Sequence, residues 1–402
     1  MKFLHCSDLH LGKKPYFGSE EFKAKRFEDY FNAFERIIEQ ARENKVEAIL
    51  VAGDFFDKKE THPNILGNTE RLLRKCKGYG IQVVVIEGNH DLIYKNKEFE
   101  SWIIYLENEK LLQRPFIKIQ ENNEKEYHSV FTGETEIFGL GYPGALVDDE
   151  LREFADYCAK ENKRNCIVLV HTALGGGEFI GGFLKDESAL DNLKDHVVYI
   201  GGGHGHKLQK YPKENPFFFV PGSPEYYDLG EDTKLKTAII FDTDSKEHKI
   251  LEQSPRNCIR ESLALDSANP EQFREEFGKF LSLFDISSED IVLVEIRFIS
   301  CDFIPDTKWA EKRIYEKGAL FAEVKLKAQN SRSEVLSSKM NSREEIELAQ
   351  IKKWKRWGGS AGIAAVALAE MRNAVKDGQP SDVFSIFDSA LNLVIGGKNE
   401  NK

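Results

Sequence analysis

The chain lacks any apolar run close to the roughly 18 residues that a membrane span requires. Its first residues lead straight into a strand-like segment and do not have the layout of a secretory signal. The six cysteines are scattered, with no Cys-x-x-Cys pair and no framework spacing. That argues against a disulfide scaffold or a cysteine-built zinc site, and for reduced thiols in a cytoplasmic protein. Positive charge is also in short supply: 56 Lys and Arg stand against 67 Asp and Glu, for a net charge of −11. Such a balance argues against a protein coated in nucleic-acid-binding residues. It does not exclude DNA, because a bound metal pair adds about four positive charges at one place. Basic residues also cluster locally, at Lys13-Lys14, Lys23 to Arg26 and Lys352 to Arg356.

What the chain does have is five short polar motifs in one order. They are Asp8-Leu9-His10, Gly53-Asp54-Phe55-Phe56-Asp57, Gly88-Asn89-His90-Asp91, Val170-His171-Thr172 and Gly203-His204-Gly205-His206. Most follow short apolar runs: Phe3 to Cys6, Ala48 to Ala52, Val83 to Ile86, Ile167 to Val170 and Val197 to Ile200. Runs of that length, rich in Val and Ile, read as buried strands. A dry strand ending in a polar residue presents that residue at one edge of a sheet.

Between the first two runs, Glu20 to Asn44 places Phe27, Tyr30, Phe31, Phe34, Ile37, Ile38 and Ala41 at helical spacing. Further helices are expected over Pro63 to Lys77, Glu98 to Glu107 and Asp149 to Asn162, and strands over Thr237 to Asp242 and Lys249 to Leu251. The fold class is α/β, a layered sheet core flanked by helices over residues 1–254. Residues 255–328 read as a small α+β cap domain in β-α-β-α-β order: Ile259 to Leu265, Pro270 to Phe284, Ile291 to Ile299, Thr307 to Lys317 and Leu320 to Lys327. Residues 329–341 are polar and Ser-rich, hence a linker. Residues 342–402 form a C-terminal helical segment, opened by the capping pair Ser342 and Glu345. There Leu348, Ile351, Trp354 and Trp357 share a face, and Lys352, Lys353, Lys355 and Arg356 flank it. This face could dock on a partner, touch DNA, or pack within the chain.

Hydrolysing a phosphodiester needs a nucleophile at neutral pH, neutralised phosphoryl oxygens and a stabilised leaving group, and two divalent metals can supply all three. A metal pair sharing one carboxylate takes about three further ligands for each ion. Asp8, His10, Asp54, Asn89, His171, His204 and His206 make seven, with Asp54 placed as the bridge. Mixed imidazole and carboxylate donors suit manganese, iron or zinc. His90 is not needed as a ligand and is the candidate to protonate the leaving oxygen or stabilise phosphoryl charge. Asp91 could orient His90. Of the other histidines, His62, His128, His196 and His248 are expected to face solvent, and His5 to be either packed in the core or a support for the ligands.

Taken together, the motifs resemble the calcineurin-type metallophosphoesterase superfamily over roughly Met1 to Asp244. The opening Phe3 to Gly12 and the stretch Val220-Pro221-Gly222-Ser223-Pro224-Glu225 are similar to the SbcD nuclease family, the bacterial counterpart of the Mre-eleven repair nucleases. The resemblance places metal ligands on Asp8, His10, Asp54, Asn89, His171, His204 and His206, and a catalytic histidine on His90. It implies two Mn2+ ions, DNA cleavage at ends or hairpins, a homodimer through the nuclease domain, and a nucleoid-associated location. It also implies an SbcC-type coiled-coil ATPase partner, held by the C-terminal helices. Asp57 stands where archaeal and eukaryotic members tend to carry a second functional His, so no catalytic role is expected of it. Two other readings compete: a metallophosphoesterase of a small nucleotide or cyclic nucleotide, and an interaction subunit whose metal site is structural.

Overall fold

The computed structural model describes residues 1–92, 100–122, 124–175, 182–231, 235–265, 269–298 and 303–328. Trp354, Trp357 and the helices expected over 342–402 lie outside the described residues.

Two sheets carry the motifs. In the first, Lys2–Cys6 pairs in parallel with Ala48–Ala52, which pairs in parallel with Gln82–Ile86. On its other side Lys2–Cys6 pairs antiparallel with Lys236–Asp242, and His248–Gln253 closes that edge. In the second sheet the order is Gln209–Tyr211, Phe218–Val220, Val197–Gly201, Cys166–Val170, Thr135–Gly141, Val130–Thr132. Its inner pairings are parallel.

Both faces of these strands are covered, which is why the sequence shows unbroken apolar runs instead of alternation. Phe3, Leu50 and Val84 from the first sheet meet Ile137, Ile167, Leu169 and Phe219 from the second in a core between the sheets. On the outer face of the first sheet, Leu4, Ile49, Val51 and Val83 pack under helix α1 (Glu20–Glu43) and helix α2 (Pro63–Gly78). After helix α3 (Trp102–Asn108), helix α4 (Val147–Lys160) covers the second sheet with Leu151, Phe154 and Cys158 over Val168 and Ile200. The order of layers is helix, sheet, sheet, helix.

Local chemistry sets the helix limits. Ser19 caps α1, its hydroxyl accepting from the Phe22 N–H at 3.1 Å, and Glu20 and Glu21 occupy the first turn. Pro63 opens α2, where its missing N–H costs nothing. Helix α3 starts at Trp102. Expected strands and helices agree with the observed ones to within a few residues. The strands Phe116–Ile119, Lys125–His128, Val130–Thr132, Thr135–Gly141, Gln209–Tyr211 and Phe218–Val220 were not anticipated. Several are short and polar, as in Lys125–His128, and carry no apolar run to detect.

Two compact units divide the chain. The first comprises Met1–Glu261, Phe280–Val294 and Thr307–Val324. In the second, which begins at Ser262–Lys279 and Glu295–Asp306, the rings of Phe273, Phe277 and Phe303 pack together. The expected β-α-β-α-β order is present as Cys258–Leu265, Pro270–Leu281, Ile291–Phe298, Thr307–Glu316 and Phe321–Ala328, with Ile291–Phe298 central in its sheet.

Candidate metal centre

Each motif follows the C-terminal end of a parallel strand, and the backbone turns sharply there. Asp8, His10, Asp54 and His204 all have positive φ, at 55°, 44°, 50° and 67°. Non-glycine residues rarely adopt this conformation, and where they do the surrounding structure must hold them. The holding bonds are present: Asp8 N–H donates to the Gly53 carbonyl, His10 N–H to the Asp54 carbonyl, and His204 N–H to Asp8 Oδ1. Two glycines make room. A Cβ on Gly88 would lie 2.2 Å from Asp54 Oδ1, and one on Gly53 (φ +87°) would lie 2.3 Å from His171 Nδ1.

The structure brings all seven expected ligands together. Donor atoms of Asp8, His10 and His206 lie within 4.8 Å of one another, and so do those of Asp54, His171 and His204. Asn89 joins the second cluster, its Oδ1 lying 3.1 Å from His171 Nε2 and 3.0 Å from His204 Nδ1. Asp54 Oδ2 faces both clusters, at 3.3 Å from His171 Nε2 and 3.8 Å from His10 Nε2.

The donors fit a cation. Asp8 Oδ2 and both ring nitrogens of His10 are buried with no hydrogen-bond partner. Buried polar atoms left unpaired cost stability, and a metal ion is one way to satisfy several at once. His171 Nδ1 lies 2.7 Å from the Ala52 carbonyl. A carbonyl only accepts, so Nδ1 carries a proton and Nε2 is the atom turned to the cluster, where a cation would take the place of any proton held there. The charges agree. Burial opposes the charge of Asp54, but His171 outweighs it and holds the carboxyl below the usual range. Burial likewise lowers His171, but Asp54 and Asp8 raise it further, up to about 9. The Asp54 and Asp8 charges that favour a proton on His171 would favour a cation in the same place.

His90 sits beside the first cluster, its ring 4.9 Å from that of His10. Its backbone N–H donates to Asp54 Oδ1 at 2.9 Å, and its Nδ1 lies 2.7 Å from the Asp57 carbonyl. The expectation that Asp91 orients His90 is therefore corrected. Asp91 Oδ2 accepts from the N–H groups of Phe55 and Gly88, and Oδ1 from that of Phe56. Its carboxylate is occupied in tying the 54–57 turn to the 88–91 turn. Burial and the Asp54 charge push its pKa up to about 8, against the pull of these donors. Asp57, of which no catalytic role was expected, supplies the main-chain acceptor that fixes the His90 ring.

Sequence reasoning also missed three groups. His206 Nδ1 donates to Glu231 at 2.8 Å, and the buried Lys236 bonds both Glu231 and Ser223 Oγ. A carboxylate behind a ligating imidazole fixes its tautomer and raises its basicity. Burial opposes the Glu231 charge, but His206 and Lys236 prevail and hold its pKa at about 2. The available signal was a lysine opening the otherwise apolar strand Lys236–Asp242. Tyr227 is the third: its ring centroid lies 4.3 Å from His10, 5.0 Å from His206 and 5.9 Å from His90. Its backbone is pinned through the neighbouring Tyr226 carbonyl, which accepts from Arg26 and Tyr30.

The remaining histidines depart from expectation in part. His62 is exposed. His128 stacks on Phe116, His248 packs on Phe219, and His196 bonds the Lys163 carbonyl, and all three are half-buried. His5 is a core residue, buried against Tyr199 with its Nδ1 2.8 Å from that hydroxyl.

Residues 1–208 match the family model for calcineurin-like phosphoesterases. The chain belongs to this family, and it is a metal-dependent phosphoesterase. Within the family it is similar to the DNA double-strand break repair protein Mre11 of Sulfurisphaera tokodaii, at 26% identity over 298 residues, covering 72% of this chain and 70% of that one. It is also similar to Mre11 of Methanosarcina acetivorans, 32% identical over 339 residues (81% and 50% of the two chains). Mre11 of Aeropyrum pernix is 39% identical over 90 residues (22% and 21%). The chain thus spans about half or less of the length of the latter two relatives. The resemblance to Mre-eleven and SbcD nucleases expected from the motifs is borne out.

Proposed function

We propose that the chain is the nuclease subunit of a double-strand-break repair complex, hydrolysing DNA phosphodiesters at ends or hairpins by exonuclease and endonuclease action. The observation that carries this reading is Asp54 facing two ligand clusters, with His90 beside them and held by a different bond. Relatives named for double-strand break repair support the choice of DNA.

Asp8, His10 and His206 would hold one divalent cation, Asn89, His171 and His204 a second, and Asp54 both. Manganese suits this mixture of oxygen and imidazole donors. Bound, such a pair supplies the nucleophile and neutralises the phosphoryl oxygens. His90 keeps its Nδ1 proton on the Asp57 carbonyl, which leaves Nε2 toward substrate. A proton carried on Nε2 would pass to the leaving oxygen.

In this reading residues 1–254 are the nuclease domain and 255–328 a cap that selects substrate. Residues 329–341 form a linker to a helical arm, whose Trp354 and Trp357 face grips an SbcC-type coiled-coil ATPase. The enzyme works as a homodimer through the nuclease domain and acts on the nucleoid. The test gives the protein Mn2+ with linear duplex, hairpin and single-stranded DNA, and with bis-p-nitrophenyl phosphate. Cleavage of DNA is expected. The net charge of −11 favours a small nucleotide instead, and turnover of the small diester without cleavage of any DNA would establish that alternative.

A further inference from the structure

Beside the metal centre lies a cleft of about 280 Å³ whose walls include Lys13, Lys14, Tyr16, Tyr30 and Tyr227. The Lys13 ammonium sits 3.3 Å from the centroid of the Tyr227 ring, the ring that also borders His10, His206 and His90. One aromatic ring therefore separates this cation from the ligand clusters. Among the described residues its ion-pair partner within 4 Å is Asp57, at a long 3.4 Å, and Asp228 on the cleft wall also acts on its charge; only one of its three N–H donors is engaged by a carboxylate. At the outer lip Tyr16 is 93% exposed, while the adjacent Phe17 is anchored against Phe22 and Phe321. The Tyr16 ring meets Phe17 edge-on at 5.3 Å and leaves a face open to solvent.

We propose that this cleft binds the nucleotide flanking the scissile phosphate: Lys13 takes that nucleotide's own phosphate, and Tyr16 stacks on its base. A cation beside an aromatic platform is the pattern by which proteins hold single-stranded nucleic acid without reading sequence. It also gives an acidic protein a local foothold for a polyanion where its overall charge offers none. The inference rests on the nuclease reading and adds a subsite to it.

The test compares KM for a single-stranded oligonucleotide with KM for bis-p-nitrophenyl phosphate, which has no flanking nucleotide, in the Mn2+-loaded full-length protein. Tyr16→Ser should raise KM for the oligonucleotide about tenfold, the scale of one lost base stack. Lys13→Gln should raise it as well, and reduce the slope of log affinity against log salt by about one. Both effects should exceed those on the small diester. Equal changes on the two substrates, or none on the oligonucleotide, would overturn the subsite and leave the nuclease reading standing. Failure of the unmodified protein to cut any DNA would remove both.

Discussion

The imidazole of His90 hydrogen-bonds through Nδ1 to the main-chain carbonyl of Asp57 at 2.7 Å, two turns of chain held side by side. The bond belongs to the backbone, so it fixes the ring whatever side chain stands at position 57. His90→Ala should keep two metals per chain by elemental analysis and lose about 10²- to 10⁴-fold in turnover, the usual range for a lost proton donor. Loss of metal would show His90 to be a ligand.

Asp91 acts on stability first. Asp91→Asn turns an amide NH2 toward backbone donors that need acceptors, leaving at least one buried N–H unpaired. Urea denaturation should show a loss of about 1–3 kcal/mol. An unchanged midpoint with lost turnover would return Asp91 to a direct role at His90.

Glu231 and Lys236 should be felt at the metal. Glu231→Gln keeps the shape but removes the charge behind His206, and Lys236→Met strands Glu231 without its buried cation. Glu231→Gln should weaken metal binding about 10- to 100-fold, the effect of losing a carboxylate behind a ligating histidine, and Lys236→Met, which keeps that carboxylate, should weaken it less. Titration calorimetry with Mn2+ measures it, and unaltered affinity would reduce the pair to a structural contact.

Arg26 is fully buried between Asp29 and Glu225 and also donates to the Tyr226 carbonyl. Arg26→Met leaves the buried Glu225 without its cation, while Asp29 keeps its two bonds to Arg256. The expected cost is about 3 kcal/mol by denaturant unfolding, since removing one partner strands the other. A cost below 1 kcal/mol would mean that water reaches the network.

Burial lowers the His5 pKa from 6.5 to about 3, so the folded protein keeps this imidazole neutral. Between those values the unfolded chain binds a proton that the folded chain refuses. Stability on this account is full above pH 6.5 and falls as pH drops toward 3, by about 1.4 kcal/mol per unit at most. His5→Gln should flatten the difference in urea midpoint between pH 7 and pH 5. An identical pH dependence in the variant would place the titration elsewhere.

The grouping of the seven candidate donors was legible because each type of residue is scarce at the end of an apolar strand and their order matches the donor set a metal pair would need. The helical face of α1 was equally plain, since Phe31, Phe34, Ile38 and Ala41 repeat at the pitch of a helix. What the sequence concealed was contact across long chain separations. Nothing near His206 announces Glu231, and nothing near His90 announces a carbonyl, because every residue has one. Asp91 misled for a related reason: adjacency in sequence put a carboxylate next to an imidazole, while the turn aimed the two side chains apart. The short edge strands were hidden by polarity, having one solvated face or none to bury.

Each ligand cluster draws on both sheets: Asp8 and His10 meet His206, while Asp54 and Asn89 meet His171 and His204. A cation in either cluster is thus a crosslink between the halves of the sandwich, and pulling the sheets apart would require giving it up. Metal affinity and the cohesion of the two halves are a single linked equilibrium, in which each tenfold rise in free cation above its dissociation constant adds about 1.4 kcal/mol to the work of separating them.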